Sequence, residues 1–435
     1  MSDPLRGYQA AALDAARARY RAGDRRVLLV GPTGCGKTRI FAEIVRGHVA
    51  KRGRVLVVVH RRELLRQAVA RMRREGVERV GVLIADEREH LDAPVVVASI
   101  QTMIGVPEAD LPAATLVVFD EAHHFVADEW GRVAAHYAAA KIVGVTATPE
   151  RGDGTPLGDL FDSLVPIASV RDLVAEGYLV PCRVIAPLER TKALARDPIE
   201  AWREYGRGRP TVVFCASVAA ARTLAQRLAS EDGVRAACVD GGTDAAYREA
   251  CLDAFAAGEL DVLTNVYCLT EGWDCPRAEV AILARGFTHA GTYLQVVGRV
   301  LRPHPGKDLA VVVDLRGAVH AHGLPDEDRT FSLEGKAISG GDGEAPSKVC
   351  PSCSSAVAAA QRTCAFCGYE FPSAGVEVED RELVTVSRVD AERAYWDEQR
   401  AIARRRGYAL GWVAHRWAEK FGRFPRKFWR EETAA

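Results

Sequence analysis

The chain has 435 residues, and its 58 Lys plus Arg balance 58 Asp plus Glu, so the formal net charge is zero. With 48% hydrophobic and 27% charged residues it has the composition of a globular protein of two or three domains, which excludes a disordered, collagen-like or disulfide-dense chain. Neutrality excludes a uniformly basic nucleic-acid coat and leaves local patches open.

No apolar run approaches the roughly 18–20 residues that span a bilayer. The opening MSDPLRGYQ lacks the charged-then-apolar pattern of a secretory signal. The 11 cysteines are an odd number; seven are scattered and four form two CxxC pairs near 350–367. That usage fits a reducing compartment with a metal site, so a cytoplasmic protein is expected.

In chain order, β-branched runs at 26–30, 54–59, 95–99, 115–120 and 142–146 alternate with longer segments rich in Ala, Arg, Glu and Leu. A stretch at 177–210 with Gly177, Pro181, Pro187 and GRGRP separates them from a second series at 211–215, 235–239, 261–265, 279–284 and 309–314. The runs are continuous rather than alternating, which predicts parallel strands covered on both faces by helices. Two α/β sheets in tandem follow. SGGDGEAPSK at 338–347 reads as a linker.

After the first strand comes GPTGCGKT at 31–38, the full G-x-x-x-x-G-K-[ST] pattern in a strand–loop–helix context. Gly31, Gly34 and Gly36 let the backbone turn so that N–H groups point at phosphate oxygens, with Thr33 in the same loop. Lys37 is placed for the β- and γ-phosphates and Thr38 for Mg²⁺. DEAH at 120–123 ends the run TLVVFD. Asp120 would hold Mg²⁺ and Glu121 would orient the attacking water. His123 is a coupling candidate or a packed imidazole, and His124 reads as a surface imidazole.

In sum, these strings resemble the ordered motifs of superfamily 2 helicases of the DEAD/DEAH-box type, over residues 4–330. Tyr8 and Gln9 in LRGYQ resemble the adenine-sensing motif; HRRELLRQ at 60–67 and SIQTM at 99–103 resemble motifs that contact nucleic acid. TATP at 146–149, VVFCAS at 212–217, TEGWDCP at 270–276 and QVVGRVLRP at 295–303 resemble motifs III, IV, V and VI. The resemblance implies two RecA-like lobes sharing one ATP. It implies that Asp274 touches the ribose, that Thr270 and Gly272 lie near nucleic acid and the lobe interface, and that Gln295 senses the nucleotide. Arg299 and Arg302, three apart, would share a helix face and clamp the γ-phosphate as arginine fingers. Thr146 and Thr148 would link the nucleotide and nucleic-acid sites. Arg61, Arg62, Ser99, Gln101, Thr102 and Ser217 are candidates for backbone contacts, which position a strand without reading it.

Cys350, Cys353, Cys364 and Cys367 read CPSC-x10-CAFC, a spacing that supplies four thiolates to one Zn²⁺. So small a module draws much of its folding energy from the metal; it either grips nucleic acid or buttresses the second lobe. The other seven cysteines read as ordinary buried thiols, with Cys35 exposed to oxidation. Residues 399–430 hold ten basic and one acidic side chain among seven aromatics, which suits nucleic acid. Val413, Trp417 and Phe421 form a helical stripe that instead suits docking on the body or a partner. The expected domains are lobe 1 (1–183), lobe 2 (184–337), a zinc ribbon (345–372) and a basic aromatic helical tail (378–435).

The composite, with DLRGAVHAHGLPDED at 314–328 and the tail GYALGWVAHRWAEKFGRFP, is similar to RadD-type bacterial DNA-repair helicases and their phage relatives. That implies ATP and Mg²⁺ as cofactors, Zn²⁺ in the ribbon, and single-stranded or branched DNA as partner, with RNA open. The alternative is an ATP-gated clamp or remodelling adaptor that does not separate strands.

Overall fold

The computed structural model describes residues 4–60, 62–74, 76–85, 87–124, 127–149, 157–231, 233–327, 329, 331–334, 347–371 and 388–421. Arg61, the linker and residues 422–435 lie outside them, as do the side chains of Arg62 and of the tail aromatics Phe424, Phe428 and Trp429.

The first sheet contains β1 (Arg26–Val30), β2 (Val55–Val59), β3 (Val80–Ile84), β4 (Glu87–Glu89), β5 (Val95–Ser99), β6 (Leu116–Asp120), β7 (Lys141–Thr146) and β8 (Ser163–Pro166), in the order β4-β3-β5-β2-β6-β7-β1-β8. All pairs are parallel except the edge pair β3–β4, which is antiparallel. The second contains β9 (Cys182–Ile185), β10 (Thr211–Cys215), β11 (Ala236–Cys238), β12 (Val262–Asn265), β13 (Val280–Ala284) and β14 (Ala310–Asp314), in the order β11-β12-β10-β13-β14-β9, all parallel. Central strands such as VLVVV of β2 are buried along their whole length. Both faces are therefore covered, which is why the sequence runs are continuous.

Three hydrophobic cores fill the two lobes. One runs through lobe 1 into lobe 2, one occupies the other face of the first sheet, and one the other face of the second. Side-chain caps fix where lobe 2 helices begin. Asp197 accepts from the Ile199 N–H ahead of Pro198–Tyr205, and Asp244 from Ala246 and Tyr247 ahead of Ala245–Ala257.

Two expected boundaries shift. The cut after residue 183 falls inside β9, which pairs with β14 and belongs to lobe 2. Phe331 and Leu333, expected in lobe 2, pack against a core of lobe 1. The sequence reading missed β3, β4, β8 and β9: β9 lies in the stretch read as a separator, and β4 (ERE) is exposed and polar.

β15 (Ser347–Val349) and β16 (Ala356–Ala358) form the antiparallel hairpin of the Cys module. It docks on the edge strand of lobe 2: the Ala186 N–H donates to the Ser354 carbonyl at 3.1 Å, and Arg183 Nε to Ser355 Oγ at 2.6 Å. Of the two roles expected for the ribbon, the contacts seen are those of a buttress.

The chain divides after residue 372 into a second unit, a helical hairpin of Arg388–Arg406 and Leu410–Phe421. Trp417 and Val413 are buried against Trp396 and Ala403. The Trp417 and Trp396 rings meet edge to face, 5.9 Å between centroids. Here the stripe that reads as a docking face forms the hairpin's own core; Tyr408, among the aromatics that suit nucleic acid, remains exposed. Trp417→Ala is expected to cost the hairpin about 3–5 kcal/mol, enough to open so small a core. Limited proteolysis of the full chain should then show cleavage within 388–421 that the parent resists.

Candidate active site

The loop after β1 turns from strand to helix through residues that only glycine tolerates. Gly34 and Gly36 sit at φ +91° and +79°, and the helix Lys37–Val49 starts directly after them. A side chain on Gly36 would run into the Gln9 amide. The first N–H groups of that helix are thereby left open to an anion. Lys37 Nζ donates to the Gly31 and Pro32 carbonyls at 3.0 and 3.3 Å. Thr33 is buried and Thr38 half-buried. Cys35 is buried, and burial pushes its thiol up from the usual range. This places it among inert thiols and corrects its expected exposure to oxidation.

Tyr8 Oη and Gln9 Nε2 both donate to the Cys35 carbonyl, at 2.8 and 3.2 Å. The Tyr8 ring lies 5.4 Å from that of Tyr178, and the Arg6 guanidinium sits 4.0 Å over Tyr178. Tyr178 and Arg6 were missed by sequence reasoning, because Tyr178 stands in the stretch read as a separator.

Asp120 ends β6, and its Oδ1 accepts the Glu121 N–H at 3.1 Å. Burial and then the neighbouring Glu121 push the Asp120 carboxyl up to about 7, against the opposing pull of Lys37. A cation beside it would hold it ionised, so the donor set fits Mg²⁺. Glu121 takes φ +51°, a strained conformation for a non-glycine residue. Its Oε2 is buried and makes no hydrogen bond; the nearest imidazole nitrogen, His123 Nδ1, lies 3.5 Å away.

His123 is the hub between the lobes. Its Nδ1 is 3.0 Å from Thr146 Oγ1, which in turn donates to the Thr148 carbonyl at 2.7 Å. Its Nε2 lies 3.1 Å from Gln295 Nε2 of lobe 2. Glu271, also of lobe 2, lies 2.8 Å from His124 Nε2 and 3.7 Å from His123 Nε2. Burial alone would raise the Glu271 carboxyl, but its hydrogen bonds to the two histidines outweigh it and hold the group well below the usual carboxylate range. His124 is thus engaged across the interface, which corrects its reading as a surface imidazole; Glu271 carried no sequence signal beyond its place in TEGWDCP.

The two arginines of QVVGRVLRP do different things. The Arg299 guanidinium is buried, giving Nε and Nη2 to the Thr270 carbonyl at 2.9 and 2.7 Å and Nη1 to the Trp273 carbonyl at 2.7 Å. It secures the 270–274 loop, which differs from the expected finger role. Helix Ala290–Gly298 ends before Arg299, so the two arginines do not share a helix face. Arg302 lies over the phosphate loop: a Cβ built on Gly34 would be 3.6 Å from its Cγ. It pairs with Asp274, while its buried Nε makes no hydrogen bond. Lys307 supports it from behind, donating to the Arg302, Pro276 and Ala278 carbonyls at 2.8, 3.0 and 2.5 Å. Gly298 abuts Thr33, so the lobes meet at the loop.

The nucleic-acid candidates are less concentrated. Ser99 is buried, with Oγ 2.7 Å from Gln101 Oε1; Gln101 is exposed and Thr102 half-buried. Ser217 caps helix Val218–Ala229 by accepting the Ala220 N–H at 3.2 Å, a structural task. Thr146, Thr148 and Thr270 are buried.

In the ribbon the four Sγ atoms lie within 4.8 Å of one another, with Cys350–Cys367 at 3.6 Å and Cys353–Cys364 at 3.7 Å. Four sulfurs about 2.3 Å from a tetrahedral Zn²⁺ sit about 3.8 Å apart, so the thiolates fit that ion.

Two parallel-sheet lobes closing on one phosphate loop, with an acidic strand tip on one side and a basic side chain on the other, define a P-loop NTPase of the RecA-like, two-lobe kind. The comparisons narrow this. Residues 2–151 match the family "Type III restriction enzyme, res subunit" and residues 194–304 the "Helicase conserved C-terminal domain". The chain is 27% identical over 368 residues to the "51.5 kDa protein" of Lactococcus phage (isolate 7-9), covering 79% of this chain and 78% of that protein. It is 27% identical to the "DNA 3'-5' helicase XPB" of Mycobacterium tuberculosis, covering 69% of this chain and 58% of that protein. A solved structure of the restriction-modification enzyme LlaBIII bound to DNA shares the fold with a TM-score of 0.57 at 17% identity, over 72% of this chain and 28% of that one. The chain belongs to superfamily 2 of the helicases. No helix among the described residues is long and apolar enough to cross a membrane.

Proposed function

We propose that this protein is an ATP-driven DNA translocase or helicase that acts on single-stranded or branched DNA in repair or recombination. The observation that carries this reading is the His123 hub. One imidazole touches the Thr146–Thr148 pair of lobe 1 and Gln295 of lobe 2, beside the carboxylate placed to activate water. A change at the phosphate end therefore has a short polar route into both lobes. The relative named as a DNA helicase supports DNA as the substrate.

Mg²⁺, held by Thr38 and Asp120, would neutralise charge on the phosphates. Lys37 would leave its loop carbonyls to grip the β- and γ-phosphates, and Tyr8 and Gln9 would hold the base end. Glu121 would accept a proton from the attacking water, and Arg302 would reach the developing charge from lobe 2. Losing the bridging phosphate removes the reason for closure, so the lobes part once per cycle.

The second reading is an ATP-gated clamp with the same lobes. The test pairs ATP turnover with strand displacement on single strands, duplexes, forks and RNA. Displacement of DNA strands that depends on ATP supports the proposal. Stimulated hydrolysis with no displacement and no movement on any substrate favours the clamp, and stimulation by RNA alone overturns DNA as substrate.

We also propose that Cys350, Cys353, Cys364 and Cys367 hold a structural Zn²⁺. Denaturing the purified chain is expected to release about one equivalent of zinc to an indicator dye, and chelation should lower its melting midpoint through loss of the ribbon that braces β9. A metal-free chain with an unchanged midpoint would count against it.

A further inference from the structure

The C-terminal ends of β12 and β13 carry an exposed aromatic that the nucleotide site does not use. Tyr267, two residues past β12, keeps 51% of its surface open. Arg285, the residue after β13, lays its guanidinium 3.8 Å from the centre of the Tyr267 ring and reaches the phenol oxygen. The guanidinium is itself fixed, since Nη1 donates to the Val266 carbonyl at 3.2 Å, and the Phe287 ring lies 5.5 Å away. The two side chains therefore form a rigid pair. They bridge the end of β10, which lies between β12 and β13 in the sheet.

A crevice of about 600 Å³ opens at the ends of β10 and β13, lined there by Cys215, Ala216 and Ala284; its charged lining is Lys192, Arg316 and an Arg227–Asp197 ion pair, so it carries a net positive charge. Arg316 lies against the residue that follows Arg285, because a Cβ on Gly286 would lie 3.0 Å from its Nη1. Crevices at the carboxyl ends of parallel strands are the usual ligand sites of such sheets. The nucleotide site is elsewhere, on the phosphate loop of lobe 1, so this crevice has no assigned ligand.

We propose that Tyr267, braced by Arg285, is a stacking platform for one unpaired base of a single-stranded nucleic acid, whose adjoining phosphates run past Arg285 and Arg316. The inference rests on the reading of this chain as a nucleic-acid motor. A base is a flat π-surface, and it suits an exposed ring that already carries a guanidinium against it; phosphates supply the charge opposite to that cation. A protein partner could also cover an exposed tyrosine, but the adjacent basic crevice favours a polyanion.

The test compares oligo-dT and oligo-U with an abasic strand of the same length and charge, by fluorescence anisotropy on the full chain. The parent is expected to bind both base-bearing strands more tightly than the abasic one. Tyr267→Ala should lose about tenfold on the base-bearing strands, the order expected for one stacked base, with the abasic affinity unchanged. Tyr267→Phe should retain the parent's preference, since the ring and not the hydroxyl does the stacking. A loss on oligo-dT without one on oligo-U identifies the base's source as DNA, and the reverse as RNA. Equal losses on base-bearing and abasic strands, or no loss with either variant, overturn the platform and leave a protein partner as the occupant. A parent chain that binds no single strand at all overturns the motor reading as well, which separates the two failures.

Discussion

Arg302→Ala is expected to lower ATP turnover by roughly 10³–10⁵-fold, the range seen when an arginine finger is removed. Arg302 comes from lobe 2, yet its side chain lies against Gly34 of the lobe 1 loop, with one buried guanidinium nitrogen making no hydrogen bond. Burial pulls its pKa down from the arginine range, and phosphate oxygens would restore the solvation it lacks. Nucleotide binding should change only a few-fold, because the loop and Lys37 are untouched. Arg302→Lys should not rescue turnover, since an ammonium lacks the planar fork. Arg299→Ala makes the contrast. Its loss strips hydrogen bonds from the Thr270 and Trp273 carbonyls, so it should lower the melting midpoint, which Arg302→Ala should leave in place. Rapid-quench hydrolysis and thermal melting of both variants measure the difference.

Glu121→Gln is expected to lower turnover by about 10²–10⁴-fold, the usual contribution of a positioned general base, while nucleotide still binds. The carboxylate is held at a strained φ with Oε2 buried and without a hydrogen bond. Strain of that kind persists where the surroundings enforce a geometry that the chemistry uses. The amide keeps the shape and loses the basicity, so the variant should accumulate bound, uncleaved nucleotide. Turnover at the parent rate would mean that another group activates the water.

How far the sequence reveals this arrangement depends on the range of the forces involved. Ten of the fourteen strands in the two sheets were legible, because burial on two faces demands unbroken apolar runs, as in VLVVV of β2. The phosphate loop was legible because its glycines answer to local backbone geometry, with Gly34 and Gly36 both at positive φ. The Cys module was legible because two CxxC pairs have the spacing that suits a tetrahedral ion, and the four Sγ atoms do lie within 4.8 Å of one another. What stayed hidden depends on contacts between distant segments. Glu271 meets His124 across 147 positions, and Tyr178 meets Tyr8 only because the end of lobe 1 folds back on the loop. Arg299 and Arg302 look equivalent as text, yet one faces carbonyls and the other the loop, because the helix ends before either. The Trp417 stripe was read with two meanings because periodicity alone cannot say what a face packs against; Trp396 of the neighbouring helix supplies the answer.

The opening balance of 58 against 58 is likewise an average over unlike parts. Lys192 and Arg316 line one crevice of lobe 2, and Gly286, next to Arg285, abuts Arg316, so the proposed grip on a polyanion would be local in a chain that is neutral as a whole.

The central claim is that one nucleotide site, built from both lobes, is coupled to a bound nucleic-acid strand. Steady-state ATP hydrolysis by the full chain, with and without single-stranded DNA and with Glu121→Gln as the blank, tests it most directly. Turnover is expected to rise at least tenfold with the strand, an acceleration worth about 1.4 kcal/mol, and to vanish in the blank. Hydrolysis that is insensitive to single-stranded DNA and to every other nucleic acid would contradict it.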